Sequence, residues 1–276
     1  MSSHQKSSDK RSSALGCCCA GAALIAMGVC IALTFVSYHV AEPQKAPVRA
    51  PPAVNPIQRM LDLPQPPQRR PGIAAALLLD TSGSMRQQPR GPQGAGEPKI
   101  ATARRALVAA AGQFERYWRA HPEQELLLGI YEFSALPVAP SCRAVLPLGR
   151  PDAARAASAV NSLTPNGGTP IGDAMIAAKQ QLDQTGLSRT HLLVITDGEN
   201  NRGYAPQAVA EVMSRQPEDR RTAVYFIAFD IEAQRFASLR ESGVLVMGAA
   251  NAEELGRTVE YILTGKILVE QPEPPK

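Results

Sequence analysis

Apolar residues divide the chain into one long uncharged segment near the N-terminus and a body with several short apolar runs. In the body, the runs IAAALLL at 73–79 and HLLVIT at 191–196 do not alternate regularly with polar residues. Continuous runs of this length are typical of strands that are buried on both faces of a parallel sheet. The pattern predicts strands at residues 73–79, 125–133, 143–148, 191–196, 222–229 and 243–247.

Segments with helical periodicity separate these strands. One face of the first such segment carries apolar residues at the spacing of successive helical turns, namely Ile100, Ala103, Leu107, Ala110 and Phe114. Helices are predicted at residues 97–120, 152–163, 170–184, 205–215 and 252–263. Because strands and helices alternate with short connections, the sequence predicts an α/β fold with helices on both faces of a mostly parallel sheet. Such sheets bind their ligands at the carboxyl ends of their strands.

Residues 14–36 are an uncharged, largely apolar run of 23 residues. This length exceeds the roughly 20 residues that a helix needs to cross a bilayer. The apolar part of a cleaved signal peptide has only about 7–15 residues, so we expect an uncleaved single-pass transmembrane helix after a short polar tail at 1–13. Three basic residues precede the run and two follow it closely, a small excess that favours a cytosolic N-terminus.

Residues 42–71 form a segment that contains nine prolines. Proline fixes φ and has no backbone N–H group, so this segment is predicted to be extended, as a semi-rigid stalk between the anchor and the body. The alternative is a ligand for proline-recognising domains. The body is predicted to span residues 72–266, followed by a C-terminal tail at 267–276.

Hydrophobic residues make up 44% of the chain and charged residues 20%, which excludes a wholly disordered protein. The net charge of +4 lies outside the body, because residues 72–266 contain twenty basic and twenty acidic residues. A body without a basic excess is poorly suited to bind phosphates, so a nucleic-acid partner is disfavoured. The Ala-, Arg- and Pro-rich composition favours a bacterial source, with the anchor in the inner membrane and the body in the periplasm or outside the cell.

Three polar loops stand at the ends of predicted strands or before a predicted helix. The first reads DTSGSM from position 80, the second NGGTP from 166 and the third TDGEN from 196. Taken singly, each has an ordinary alternative, a turn for the first and third and a helix cap for the second. Together they supply oxygen donors, the ligand type that hard divalent cations prefer. These candidate metal ligands are Asp80, Ser82, Ser84, Thr169 and Asp197.

This arrangement resembles the von Willebrand factor A (VWA) domain with a metal-ion-dependent adhesion site, whose motif is D-x-S-x-S, then a threonine, then an aspartate. The resemblance covers the whole predicted body and implies a six-stranded, mostly parallel sheet wrapped by helices. It also implies that the hydroxyls of Ser82 and Ser84 bind the metal directly, joined by Thr169 in a ligand-ready state. Asp80 and Asp197 would act mainly through bound waters, and one coordination position would stay open for an acidic side chain of a protein partner.

The expected cation is Mg²⁺, with Mn²⁺ as a substitute, because the candidate site offers hydroxyls and few carboxylates. We therefore expect a membrane-anchored domain that uses this cation for metal-dependent protein–protein binding, in adhesion or in the assembly of an envelope or surface complex. The alternative is a structural subunit of an envelope, secretion or pilus assembly whose metal site does not exchange its ion.

An enzyme is disfavoured by the sequence. A metal-dependent hydrolase with Asp80 as nucleophile usually needs a second carboxylate two residues later, where this chain has Ser82. The sequence has no G-x-S-x-G motif and no P-loop, and neither His121 nor His191 has a Cys or a second His at ligand spacing. We therefore expect no catalytic residues.

The segment at 86–98 departs from the simple motif. It is rich in Gly and Pro and is longer than a strand–helix loop of about 2–6 residues. We expect it to lie on the metal face, where it would screen or select partners. The alternative is a tolerated insertion.

Overall fold

The computed structural model describes residues 55–62, 64, 69–90, 96–137 and 140–269. The predicted anchor and the polar tail before it lie outside these residues, as do parts of the proline-rich segment. Among the residues described, no helix is both long and apolar enough to cross a bilayer. The anchor and its orientation therefore stay predictions.

In the described part of the chain, six strands form one sheet. They are β1 (Arg70–Asp80), β2 (Leu126–Phe133), β3 (Cys142–Gly149), β4 (Leu187–Thr196), β5 (Thr222–Phe229) and β6 (Leu245–Ala249). Their spatial order is β3-β2-β1-β4-β5-β6, which places β1 and β4 at the centre. β3 runs antiparallel to β2, and the other neighbouring strands are parallel. The predicted mostly parallel sheet is confirmed.

Helices cover both faces of this sheet, as predicted. They are α1 (Pro56–Leu61), α2 (Lys99–Ala120), α3 (Ala153–Asn161), α4 (Ile171–Gln184), α5 (Pro206–Ser214), α6 (Ala237–Glu241) and α7 (Ala252–Ile262). Residues of α2, α3 and α7 pack into the core on one face. Residues of α1, α4, α5 and α6 pack into the core on the other face.

This layering explains the continuous apolar sequence of β1. Successive residues of a strand point to opposite faces of the sheet. Ile73 and Leu77 join the core beneath α2 and α7, whereas Ala74 and Leu78 join the core beneath α1 and α4. All four side chains are fully buried, so no position of this central strand favours a polar residue until Asp80.

Part of the predicted stalk is folded onto the domain. α1 lies within the proline-rich segment, with Pro56 in its first turn, where the missing N–H group needs no partner. Asn55 caps the helix, since its Oδ1 accepts the backbone N–H of Ile57 at 2.9 Å. Ile57 and Leu61 are buried in the core. The prediction of an extended chain is therefore wrong for these residues, because Ile57 and Leu61, one helical turn apart, pack into the core of the domain.

A buried histidine makes the stability of the fold depend on pH. His191 on β4 is 2% exposed, and its Nδ1 lies 3.3 Å from the hydroxyl of Tyr225. Burial, with a smaller effect of the Arg189 charge, lowers the pKa of His191 from 6.5 to about 3. Above pH 6.5 the residue is neutral in both the folded and the unfolded chain. Below it, only the unfolded chain takes up the proton, so folding is opposed.

We therefore expect the free energy of unfolding to fall by about 1.4 kcal/mol per pH unit from this residue as the pH drops from 6.5 toward 3. Urea denaturation of the wild type and His191→Leu at pH 7, 5.5 and 4.5 would measure this contribution. The variant should lose less stability between pH 7 and 4.5 than the wild type does. Val194→Ala, at a buried apolar residue on the same strand, is the control; it should lower the stability at every pH and keep the wild-type dependence. Identical pH profiles for all three proteins would contradict the prediction.

Candidate metal centre

Two of the predicted loops leave the sheet at the same edge, because β1 and β4 are adjacent and parallel. Leu79 of β1 pairs with Ile195 of β4, so the strands end together. Asp80 is the last residue of β1, and Asp197 follows Thr196 at the end of β4. Both predicted aspartates therefore lie at the carboxyl edge of the sheet, where parallel sheets bind ligands.

Asp80 is held from two sides and is fully buried. Its Oδ1 accepts the backbone N–H of Ser82 at 2.7 Å, and its Oδ2 accepts the hydroxyl of Thr196 at 2.6 Å. Burial raises the pKa of Asp80 to about 7 against the lowering effect of these hydrogen bonds, and the nearby Asp197 carboxylate adds to the rise. A cation beside this carboxylate would favour its charged form.

Two serine hydroxyls connect the first loop to the third. Ser82 Oγ lies 3.0 Å from Ser84 Oγ, and Ser84 Oγ donates to Asp197 Oδ1 at 2.7 Å. Both separations are those of ordinary O–H···O hydrogen bonds. These bonds bring the two hydroxyls and the carboxylate into one small region, where they offer the oxygen donors that Mg²⁺ prefers.

Thr169 brings the second loop to the same place. A Cβ atom at Gly198 would lie 3.7 Å from Thr169 Oγ1 and 4.0 Å from Ser84 Oγ, so both hydroxyls border one small space. Asn201 Oδ1 accepts the backbone N–H of Thr169 at 2.9 Å. The N–H of Asn201 in turn donates to the Thr169 carbonyl at 3.1 Å. Hydrogen bonds therefore join the second and third loops beside the serine hydroxyls.

The third loop also caps α4, so the Thr169 side chain does not. The residue before α4 is Pro170, and the helix begins at Ile171, one residue later than predicted. Asn200 Oδ1 accepts the N–H groups of Ile171 at 2.8 Å and Gly172 at 3.4 Å. The helix-cap alternative for Thr169 is wrong, and its hydroxyl remains available for another role.

The structure brings all five predicted residues together. Asp80, Ser82, Thr169 and Asp197 are at most 6% exposed, and Ser84 is half-buried. Among the described residues, no group of three or more His, Cys, Asp or Glu side chains is placed to hold a metal ion, so a site here depends on its hydroxyls. That these residues are metal ligands stays a prediction.

Two charged residues beside this cluster were not predicted as part of it. Lys99, the first residue of α2, places its Nζ 3.0 Å from Asp197 Oδ2 and 2.7 Å from Asp230 Oδ2. Asp230 follows β5 as Asp197 follows β4, and it has a positive φ of 54°. In the sequence, the position of Asp230 directly after a predicted apolar strand indicates that it lies at the same edge of the sheet. Nothing in the sequence distinguished Lys99 from an ordinary exposed lysine.

The described ends of the segment at 86–98 lie at this edge of the sheet. Arg86 Nε donates to the Pro165 carbonyl at 2.6 Å, and the backbone N–H of Arg90 donates to Asp230 Oδ1 at 2.8 Å. Residues 91–95 are outside the described part. The segment therefore begins beside the candidate site, and its effect on partners stays a prediction.

The geometry agrees with comparisons to known proteins. The family model of the von Willebrand factor type A domain matches residues 75–200. No curated protein matches the chain in sequence. Three solved structures share its fold: the PilB minor pilin of Streptococcus sanguinis, a von Willebrand factor type A protein of Catenulispora acidiphila, and the pilus adhesin SpaC of Lactobacillus rhamnosus GG.

These three likenesses are structural, with little sequence identity. The TM-scores are 0.56, 0.55 and 0.55, and the identities are 16%, 19% and 13%. The matches cover 74%, 73% and 73% of this chain but only 63%, 44% and 31% of the other chains, so it spans less than two thirds of each. Residues 75–200 thus match the von Willebrand factor type A model, and the six-stranded sheet has the fold of these solved structures.

Proposed function

We propose that this domain binds a divalent cation, Mg²⁺ or in its place Mn²⁺, through Asp80, Ser82, Ser84, Thr169 and Asp197. The main support is the convergence of oxygen donors from three loops, in which Ser84 Oγ lies 3.0 Å from Ser82 Oγ and 2.7 Å from Asp197 Oδ1. The three hydroxyls would hold the ion directly. The two aspartates would position its waters, as the resemblance implies.

We further propose that the domain binds a protein partner rather than catalysing a reaction. A dication with few anionic ligands attracts an acidic side chain from outside the chain. Two structural neighbours are a minor pilin and a pilus adhesin, which is in keeping with adhesion or the assembly of an envelope or surface complex. Residues 14–36 would anchor the chain in a bacterial inner membrane, with the domain in the periplasm or outside the cell.

The depth of the site supports a second candidate function. Asp80 is fully buried, and Ser82, Thr169 and Asp197 are almost so. An ion enclosed by such ligands would exchange slowly. The domain would then be a structural subunit of an envelope, secretion or pilus assembly that keeps its metal permanently.

Thermal unfolding of the full-length chain in detergent tests cation binding. We expect Mg²⁺ at about 100 times its Kd to add roughly 2.7 kcal/mol to the free energy of unfolding. For a domain of this size this raises Tm by about 5–11 °C relative to EDTA. The substitution Asp80→Asn keeps the shape of the side chain and should abolish the rise, with Mg²⁺ and with Mn²⁺.

A matched control uses a buried aspartate far from the loops. Asp183→Asn disrupts the buried ion pair with Lys179 and should lower Tm while keeping the Mg²⁺-dependent rise. Metal analysis after EDTA treatment separates the two candidate functions, since a non-exchanging site retains its ion. An unchanged Tm in the wild type, with no metal bound before or after EDTA, would count against both.

A further inference from the structure

Lys99 is a buried cation directly behind the proposed metal site. Its Nζ donates to Asp197 Oδ2 at 3.0 Å, while the other carboxylate oxygen, Oδ1, accepts the hydroxyl of Ser84. Asp197 therefore turns one oxygen toward the hydroxyl cluster and one toward an ammonium group. The negative charge of Asp197 therefore interacts with Lys99 and would also interact with any cation bound among the hydroxyls.

The position of Lys99 is unfavourable for a positive charge. It begins α2, where the helix dipole disfavours cations, and its side chain is only 3% exposed. Burying an ion costs several kcal/mol unless its partners offset the loss of hydration. Asp230 supplies the second partner at 2.7 Å and is itself fixed by the N–H of Arg90. Two carboxylates thus hold the ammonium group in place.

We propose that Lys99 sets the Mg²⁺ affinity of the site, by neutralising Asp197 from the side opposite the hydroxyls. This inference rests on the proposed function. A fixed positive charge close to a dication raises the energy of the bound state. The chain alone therefore holds Mg²⁺ weakly, and the acidic side chain of a partner supplies the negative charge that the site lacks. Lys99 is a positioning residue, since it acts through Asp197.

Calorimetric titration of the full-length chain with Mg²⁺ tests this role. Lys99→Met, which keeps most of the apolar stem and removes the charge, should bind Mg²⁺ at least about tenfold more tightly than the wild type. Its Tm in EDTA should fall, because Asp197 and Asp230 are left without their cation. A lysine with a merely structural role would lower Tm without raising the Mg²⁺ affinity.

The chain offers a matched control in Lys179, which is fully buried and paired with Asp183 on α4. Lys179→Met should also lower Tm in EDTA, but its Mg²⁺ affinity should equal that of the wild type. If Lys99→Met does not fold, Asp230→Asn provides the opposite test. It leaves the ammonium group to Asp197 alone, so Mg²⁺ should bind about tenfold more weakly.

The outcomes separate this inference from the proposed function. If the wild type binds Mg²⁺ and a folded Lys99→Met binds it equally or more weakly, the role of Lys99 is wrong and the proposed function stands. The same holds if Lys99→Met does not fold and Asp230→Asn leaves the Mg²⁺ affinity unchanged. If neither the wild type nor Lys99→Met binds Mg²⁺, the proposed function fails, and the inference fails with it.

Discussion

Replacing Gly172 with alanine is expected to lower the free energy of unfolding by about 3 kcal/mol and to weaken Mg²⁺ binding. A Cβ atom at this position would lie 2.1 Å from the carbonyl oxygen of Tyr204. α4 and the loop between β4 and α5 must separate to relieve this clash. The same loop carries Asn201, which holds the backbone of Thr169, so the hydroxyl cluster is disturbed as well. Urea denaturation and Mg²⁺ titration of the variant would measure both effects.

Gly256→Ala is the control for this substitution. Gly256 lies inside α7, and a Cβ atom there would meet no atom within 4 Å. Alanine is favoured over glycine inside a helix, so the variant should be more stable by about 0.5–1 kcal/mol. Wild-type stability in Gly172→Ala would mean that Tyr204 does not pack on α4 as described.

Replacing Phe114 with alanine is expected to destabilise the domain by about 3–5 kcal/mol without changing its Mg²⁺ affinity. Phe114 is fully buried in the core between α2 and the sheet. Truncation removes its apolar contacts and leaves a cavity that a close-packed core fills only in part. The residue is several turns along α2 from Lys99, so the loops of the candidate site should keep their geometry. Urea denaturation would give the loss of stability, and Mg²⁺ titration below the unfolding transition would give the affinity.

The exposed Tyr261 on α7 provides the comparison for this truncation. Its side chain is 49% exposed, so Tyr261→Ala should change the free energy of unfolding by about 0.5 kcal/mol at most. A Phe114→Ala protein as stable as Tyr261→Ala would show that the core beneath α2 is not packed as the structure describes.

The sheet could be predicted because its strands are buried on two faces. Each face requires an apolar residue at every second position, so β1 has no polar position between Ile73 and Leu79. Asp80 then marks the end of the strand, where water or a ligand becomes available. The same reasoning located Asp197 at the end of the apolar run at 191–196, and the structure adds that β1 and β4 are neighbours. Chain order and strand ends were therefore sufficient to place both aspartates.

Contacts between elements that are distant in the sequence were beyond prediction. In the sequence Lys99 looks like an ordinary exposed lysine, and its burial depends on Asp230, more than a hundred residues later. Glycine is unfavourable inside a helix, and the close approach of Tyr204 is what explains Gly172. α1 was missed because the prolines of the surrounding segment predicted an extended chain, whereas its two apolar side chains have their partners on other elements. Local patterns do not carry information of this kind.

The candidate site is closed by contacts between residues that are far apart in the chain. The hydroxyl of Thr196 reaches Asp80 across 116 positions, and that of Ser84 reaches Asp197 across 113. We expect such contacts to form late in folding, because the entropy of closing a long loop is lost before they form. A cation bound here would contribute little to the folding transition state. It would therefore slow unfolding rather than speed folding, and so lengthen the lifetime of the folded domain.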